Sequence, residues 1–220
     1  MRRAGPAVNF LAHVVVAQRV EGDSPAVALG AALPDLATIA GCRFDNDRLT
    51  PDLRRGVACH HRADSCFHAD RGFLTGAAAI RSAAVAHGLA PGPSRAVGHV
   101  GWELLLDGSL LDQPPVVDGF LAAMAGAADV APALAPADRD RWSALVDSVR
   151  TDQWWRHYDD PAFVADRLHG MVRRRPRLAF DAGDVPLVAG LLAAAQPAVA
   201  GAADATIDAV TARLRRAPAA

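Results

Sequence analysis

The stretch Gly56-Val57-Ala58-Cys59-His60-His61-Arg62-Ala63-Asp64-Ser65-Cys66-Phe67-His68-Ala69-Asp70 decides how the rest of the chain is read. His60, Asp64 and His68 recur at every fourth position. Four residues of an α-helix turn about 40° past a full rotation, so a helix here sets all three side chains on one stripe. Imidazole and carboxylate are the ligands that suit zinc, manganese or iron, and three on one stripe can converge on one cation. Against this stands a plainer reading, a solvated polar face, because i,i+4 polar pairs are ordinary on exposed helices.

A second stretch weighs against the plainer reading. Ser94-Arg95-Ala96-Val97-Gly98-His99-Val100-Gly101-Trp102-Glu103-Leu104-Leu105-Leu106-Asp107 repeats the four-residue spacing in His99, Glu103 and Asp107. Its other residues are apolar nearly all round, the pattern of a buried helix. A charge inside a protein has to be paired or bound to a metal, since leaving it alone costs several kcal/mol. A structural salt bridge in the core is the alternative. If the two stripes form one centre, the two helices pack with the stripes facing.

Composition bounds the possibilities. At 220 residues and 51% hydrophobic content the chain has material for a substantial core. Abundant Ala and Leu with few aromatic residues favour helix over sheet. All the basic residues are arginine, and the formal charge of -1 argues against a nucleic-acid coat or an electrostatic membrane binder. Cys42, Cys59 and Cys66 show no CxxC spacing and read as reduced thiols, which suits a cytoplasmic protein. No stretch has the roughly 18 uninterrupted apolar residues of a membrane span. The segment after Arg2-Arg3 lacks a small-residue cleavage site, so no signal peptide is expected. No P-loop, dinucleotide fingerprint or nucleophile elbow is present.

Punctuation along the chain predicts a single helical domain over 1–220. A first helix is expected over Val8–Val20, although Val14-Val15-Val16 alone also suits a strand. Ser24-Pro25 opens a second helix that Pro34 is expected to kink or close, leaving Asp35 at the exit. Asp45-Asn46-Asp47 reads as a surface loop, Pro51 opens the organising helix, and Asp70–His87 forms the next. Gly88–Pro93 is a loop before the His99 helix. Further helices are expected over Val117–Ala127, Pro136–Arg150 and Phe163–Arg174, with an aromatic corner at Trp154–Pro161. Two Ala-rich helices, Val185–Ala195 and Ala202–Arg215, close the chain.

Four stretches together resemble the acyl carrier protein phosphodiesterase family, a divergent branch of the HD-type metal-dependent phosphohydrolases. They are Asn9-Phe10-Leu11-Ala12-His13, the segment Gly30 to Asp35, the Gly56 to Asp70 stretch, and Trp154 to Leu178 with Arg174-Arg175-Pro176-Arg177. The resemblance implies an all-α, HD-like fold, a divalent metal, and hydrolysis that releases 4'-phosphopantetheine from a carrier-protein serine. His13, Asp35, His60 and Asp64 match the family's positions. His61 stands where the family has arginine, Phe67-His68 replaces threonine-aspartate, Asp70 stands for a histidine, and His99 to Glu103 replaces a DxxWD-like segment. These exchanges enrich the site in imidazole and so favour zinc or iron over magnesium. The spacing also faintly resembles that of zinc-dependent phospholipase C.

The expectation is therefore a hydrolase with a divalent cofactor, manganese, zinc or iron. His60, Asp64, His68, His99 and Glu103 are the expected metal ligands, and Asp35 and His13 the expected catalytic groups. Arg62, Arg174, Arg175 and Arg177 are the expected substrate contacts, since guanidinium pairs with phosphate bidentately. The expected partner is an acyl carrier protein or a phosphorylated small molecule. Two alternatives stay open: a metalloenzyme of other chemistry, and a non-catalytic carrier-protein-binding protein.

Overall fold

Proline sets where most helices begin. In the computed structural model, which describes residues 9–216, six of the nine described α-helices open on proline, whose fixed φ and missing N–H suit that position. The helices are α1 (Phe10–Glu21), α2 (Pro25–Ala40), α3 (Pro51–Phe67), α4 (Arg71–Ala86), α5 (Pro91–Ser109), α6 (Pro114–Ala125), α7 (Pro136–Thr151), α8 (Pro161–Val172) and α9 (Val185–Arg216). Ser24, Thr50, Asp70 and Asp160 cap α2, α3, α4 and α8 by accepting from first-turn N–H groups. No strand occurs among the described residues; Phe44 and Leu134 form an isolated bridge. The protein is all-α, and its helices share one contiguous hydrophobic core. Arg2-Arg3 and Val8 lie outside the described residues.

The valine run of α1 is helical, and every residue from Phe10 to Ala17 is buried. Two expectations about where helices end are corrected. Pro34 does not end α2, which runs on to Ala40 and stops at Gly41 in the left-handed region with φ 66°. Buried Leu33, Leu36 and Ala37 on both sides of the proline hold the helix together, so the one lost hydrogen bond does not break it. Asp35 therefore lies inside a buried helix, not at an exit. The two C-terminal helices are likewise one 32-residue α9 that continues through Pro197. Pro197 faces solvent, while Val188, Leu192 and Val199 anchor the helix on either side. As one piece, 182–216 is long and apolar enough to cross a membrane by length and composition, with a mean hydropathy of 1.6 in its most apolar window. It packs on α8, α5, α4, α1 and α3.

Two glycines fix the crossing that matters most for the site. A Cβ at Gly56 would stand 2.1 Å from the Val27 carbonyl oxygen, and one at Gly30 would stand 2.2 Å from the Leu53 carbonyl oxygen. Only glycine at both positions lets the backbones of α2 and α3 touch. The contact sets His60, one turn beyond Gly56, against the α2 residues that follow Gly30.

Candidate metal centre

His60 is oriented by backbone. Its Nδ1 lies 2.8 Å from the Ala31 carbonyl oxygen. A carbonyl only accepts, so Nδ1 carries the proton and the Nε2 lone pair is left for another partner. Metal-binding histidines are commonly held in this way. The rings of His13 and His60 sit 4.0 Å apart, and Phe67 packs edge-on against His13 at 5.4 Å. Asp35 reaches the same point from α2. One ligand atom from each of His13, Asp35 and His60 lies within 4.8 Å of the others, and all three residues are buried.

This inner triad is short of partners. Neither nitrogen of His13 and no donor for Asp35 Oδ2 finds a hydrogen bond, although all are shielded from water. Buried polar atoms are nearly always paired, so three orphans in one place call for an explanation. Burial, reinforced by His60 and His68, holds the His13 pKa well below its usual value. Burial and His61 lower His60 to about 4. Asp35 is pushed well above the carboxylate range by burial and by the Glu103, Asp107 and Asp64 carboxylates. A cation bound among these groups would reverse the Asp35 shift, and neutral imidazoles are the form that ligates.

A second triad stands farther out. His68 at the end of α3 and His99 on α5 both approach one oxygen of Glu103: His68 Nε2 lies 3.2 Å and His99 Nε2 3.3 Å from Glu103 Oε1. Asp64 Oδ2 sits 3.5 Å from the other nitrogen of His68. Glu103 is 2% exposed and its Oε2 is unpartnered, whereas the His68 and His99 side chains are partly open to solvent. Bonds to the Asp64 and Glu103 carboxylates raise the His68 pKa to about 10. Burial alone would raise Asp64, but its bond to His68, with His60 and His61 nearby, leaves it below the ordinary value. The α4 side chain Phe73 closes one wall, its ring 5.3 Å from His68 and 5.0 Å from His99.

The expected residues thus divide. Of the expected ligands, His60 groups with His13 and Asp35, while His68, His99 and Glu103 form a second group. Asp64 lies behind His68, where it orients that ring. Arg62 is turned elsewhere: its guanidinium donates to the Leu214 carbonyl at 2.9 Å and lies 3.9 Å from Glu21. It ties the end of α9 to α3, because the stripe geometry that points His60 inward points its neighbour toward α9. Arg174, Arg175 and Arg177 are exposed beyond α8, and Arg175 lines a cavity of about 410 Å³ with Arg167, Asp166 and Thr38.

Two parts of the site have weak signals in the sequence. Ala31 acts through its carbonyl, to which residue type gives no clue; the paired glycines are the only hint. Phe73 is placed by Asp70, which accepts from Gly72 N and Phe73 N at the start of α4. Asp70 thus serves as a helix cap where the resemblance implies a site position. Comparison with family models, curated proteins and solved structures finds no match for this chain.

Proposed function

We propose that the protein is a metal-dependent hydrolase acting on phosphodiesters, with His13, Asp35 and His60 holding a divalent zinc-, manganese- or iron-class ion. The observation that carries this reading is the buried triad with unpartnered nitrogen and oxygen atoms converging from α1, α2 and α3. Two imidazoles and a carboxylate form a donor set such an ion accepts. Bound there, the ion would lower the pKa of a water toward neutrality and offset charge on phosphoryl oxygens. The Ala31 carbonyl fixes the His60 tautomer, and Phe67 with the surrounding core keeps bulk water from the inner face. Around the site, the His68 and His99 side chains reach solvent, at 22% and 31% exposed.

The resemblance to acyl carrier protein phosphodiesterases supports a carrier-protein substrate, and so do the exposed Arg174, Arg175 and Arg177, which suit an acidic surface or a phosphate. The pairing of His68 with both Asp64 and Glu103 favours a second reading, a purely structural ion-pair network that binds without catalysing. That reading leaves the inner orphans unexplained. The test is to assay purified protein, with manganese, zinc or ferrous iron added back after chelation, on bis(p-nitrophenyl) phosphate and on phosphopantetheinylated carrier protein. Metal-dependent turnover that falls at least about 100-fold in His60→Ala is expected. Turnover of neither substrate with any of the three metals would reject the hydrolase.

A further inference from the structure

The outer triad remains once the inner one is assigned, and a simple ion pair does not account for all of it. Two imidazole nitrogens from different helices, His68 Nε2 on α3 and His99 Nε2 on α5, approach the same oxygen, Glu103 Oε1. The 3.3 Å approach of His99 lacks hydrogen-bond alignment, and that nitrogen is left without a partner. In a tetrahedral zinc site with bonds near 2.0–2.1 Å, neighbouring ligand atoms stand about 3.3–3.4 Å apart. The observed separations, 3.2 Å for the hydrogen-bonded His68 and 3.3 Å for the unaligned His99, match that ligand spacing.

Three further observations point the same way. Glu103 is all but fully buried, and its second oxygen finds no donor, so the carboxylate brings charge into the interior that two half-exposed rings do not fully satisfy. Asp64 lies behind His68 on the nitrogen facing away from Glu103, as in the carboxylate–histidine–metal arrangement. The third is position: the His68 and His99 side chains keep roughly a quarter of their surface in solvent while His99 Nε2 itself is shielded, so the cluster lies just beneath the surface.

We propose that His68, His99 and Glu103 form a second divalent-cation site, distinct from the buried triad and nearer the surface, that takes a zinc-class ion through two nitrogens and one oxygen. Three protein ligands leave a coordination position open, the arrangement of a site that exchanges ligands rather than one that only braces the fold. The site rests on the metal reading above only for the total of two ions; it does not depend on which reaction is catalysed.

The experiment is a zinc titration of chelator-treated full-length protein, followed by a competing chromophoric chelator, with cobalt as a spectroscopic probe of the same sites. Two equivalents are expected in the wild type. His99→Ala should remove one equivalent and weaken binding by 10- to 100-fold or more at that site only, leaving the other in place. His13→Ala should remove the other equivalent and leave the outer one. His68→Ala repeats the outer test, and circular dichroism checks that each variant keeps its helices. A single wild-type equivalent that His99→Ala and His68→Ala both leave in place, or a His99→Ala and His68→Ala pair that both keep two, overturns the outer site. Loss of the same single equivalent in His99→Ala and His13→Ala would instead show one shared centre and overturn the division into two. A His13→Ala protein that keeps both ions would reject the inner triad while leaving the outer site standing.

Discussion

A carboxylate buried beside metal ligands need not be a ligand, and Asp107 separates the two roles. It continues the His99–Glu103 stripe, yet its oxygens accept from Leu11 N at 3.0 Å and Ala12 N at 2.9 Å. It thereby satisfies first-turn donors of α1 that Asn9, which makes no side-chain cap bond, leaves free. Burial pushes its pKa well up against the pull of those two bonds. Asp107→Ala should therefore cost about 2–4 kcal/mol of stability through two stranded N–H groups. Metal content per folded molecule should be unchanged. If thermal melting moves little while bound zinc falls, Asp107 belongs to the site and the cap assignment fails. At this scale the sequence is a good guide to which residues face inward, because the apolar neighbours of Glu103 and Asp107 mark a buried helix and both are buried. It does not reveal which partner each finds, since Asp107 and Glu103 differ only in which helix end or ring lies opposite.

Helix starts are legible where proline and a capping side chain announce them, as at Ser24-Pro25 and Thr50-Pro51; the same signal at Asp160-Pro161 opens α8 two residues before the expected Phe163. Helix ends are less so: Pro34 is expected to kink or close α2 and the Ala-rich tail to divide, yet at Pro34 and Pro197 buried neighbours outweigh one missing hydrogen bond. The two Ala-rich pieces around Pro197 are too short in sequence to suggest α9, whose coherence comes from its packing along α8 and α5. The crossing of α2 on α3 makes the element-scale prediction. Gly56→Ala drives a methyl group into the Val27 carbonyl, 2.1 Å away, where backbone rather than a flexible side chain must yield. Separating the helices also pulls His60 off Ala31 and away from Asp35. A loss of about 3 kcal/mol or more, together with loss of zinc from the inner triad, is expected. Gly201→Ala is the matched control, because nothing lies within 4 Å of its added Cβ and α9 should gain up to about 1 kcal/mol. Equal melting temperatures for the two variants would refute the account of the crossing.

For the molecule as a whole, the inner and outer histidines are set against each other, and pH exposes the opposition. His60 has a folded pKa of about 4 against roughly 6.5 unfolded. Between those values the unfolded chain takes up a proton that the native state refuses, so stability is full above pH 6.5 and declines as pH falls toward 4. The difference corresponds to about 3 kcal/mol for His60, and His13, lowered by burial beside it, acts in the same direction. His68 works the other way: raised to about 10, it contributes stability below pH 6.5 that is lost as pH rises through 10. Chelator-treated protein should accordingly be most stable near pH 6.5 and lose stability steadily on both sides, toward 4 through His60 and toward 10 through His68. Zinc changes the acid limb. An ion on neutral His13 and His60 and ionised Asp35 stabilises only the folded form, and protons compete with it for the same lone pairs. The melting temperature should therefore rise on adding zinc at pH 7.5, and the increment should shrink steadily toward pH 5. In His60→Ala the increment from the inner triad should vanish and the acid limb should flatten. A zinc increment that is the same at pH 5 and pH 7.5, or that survives intact in both His60→Ala and His99→Ala, would place the bound ion on groups other than these histidines.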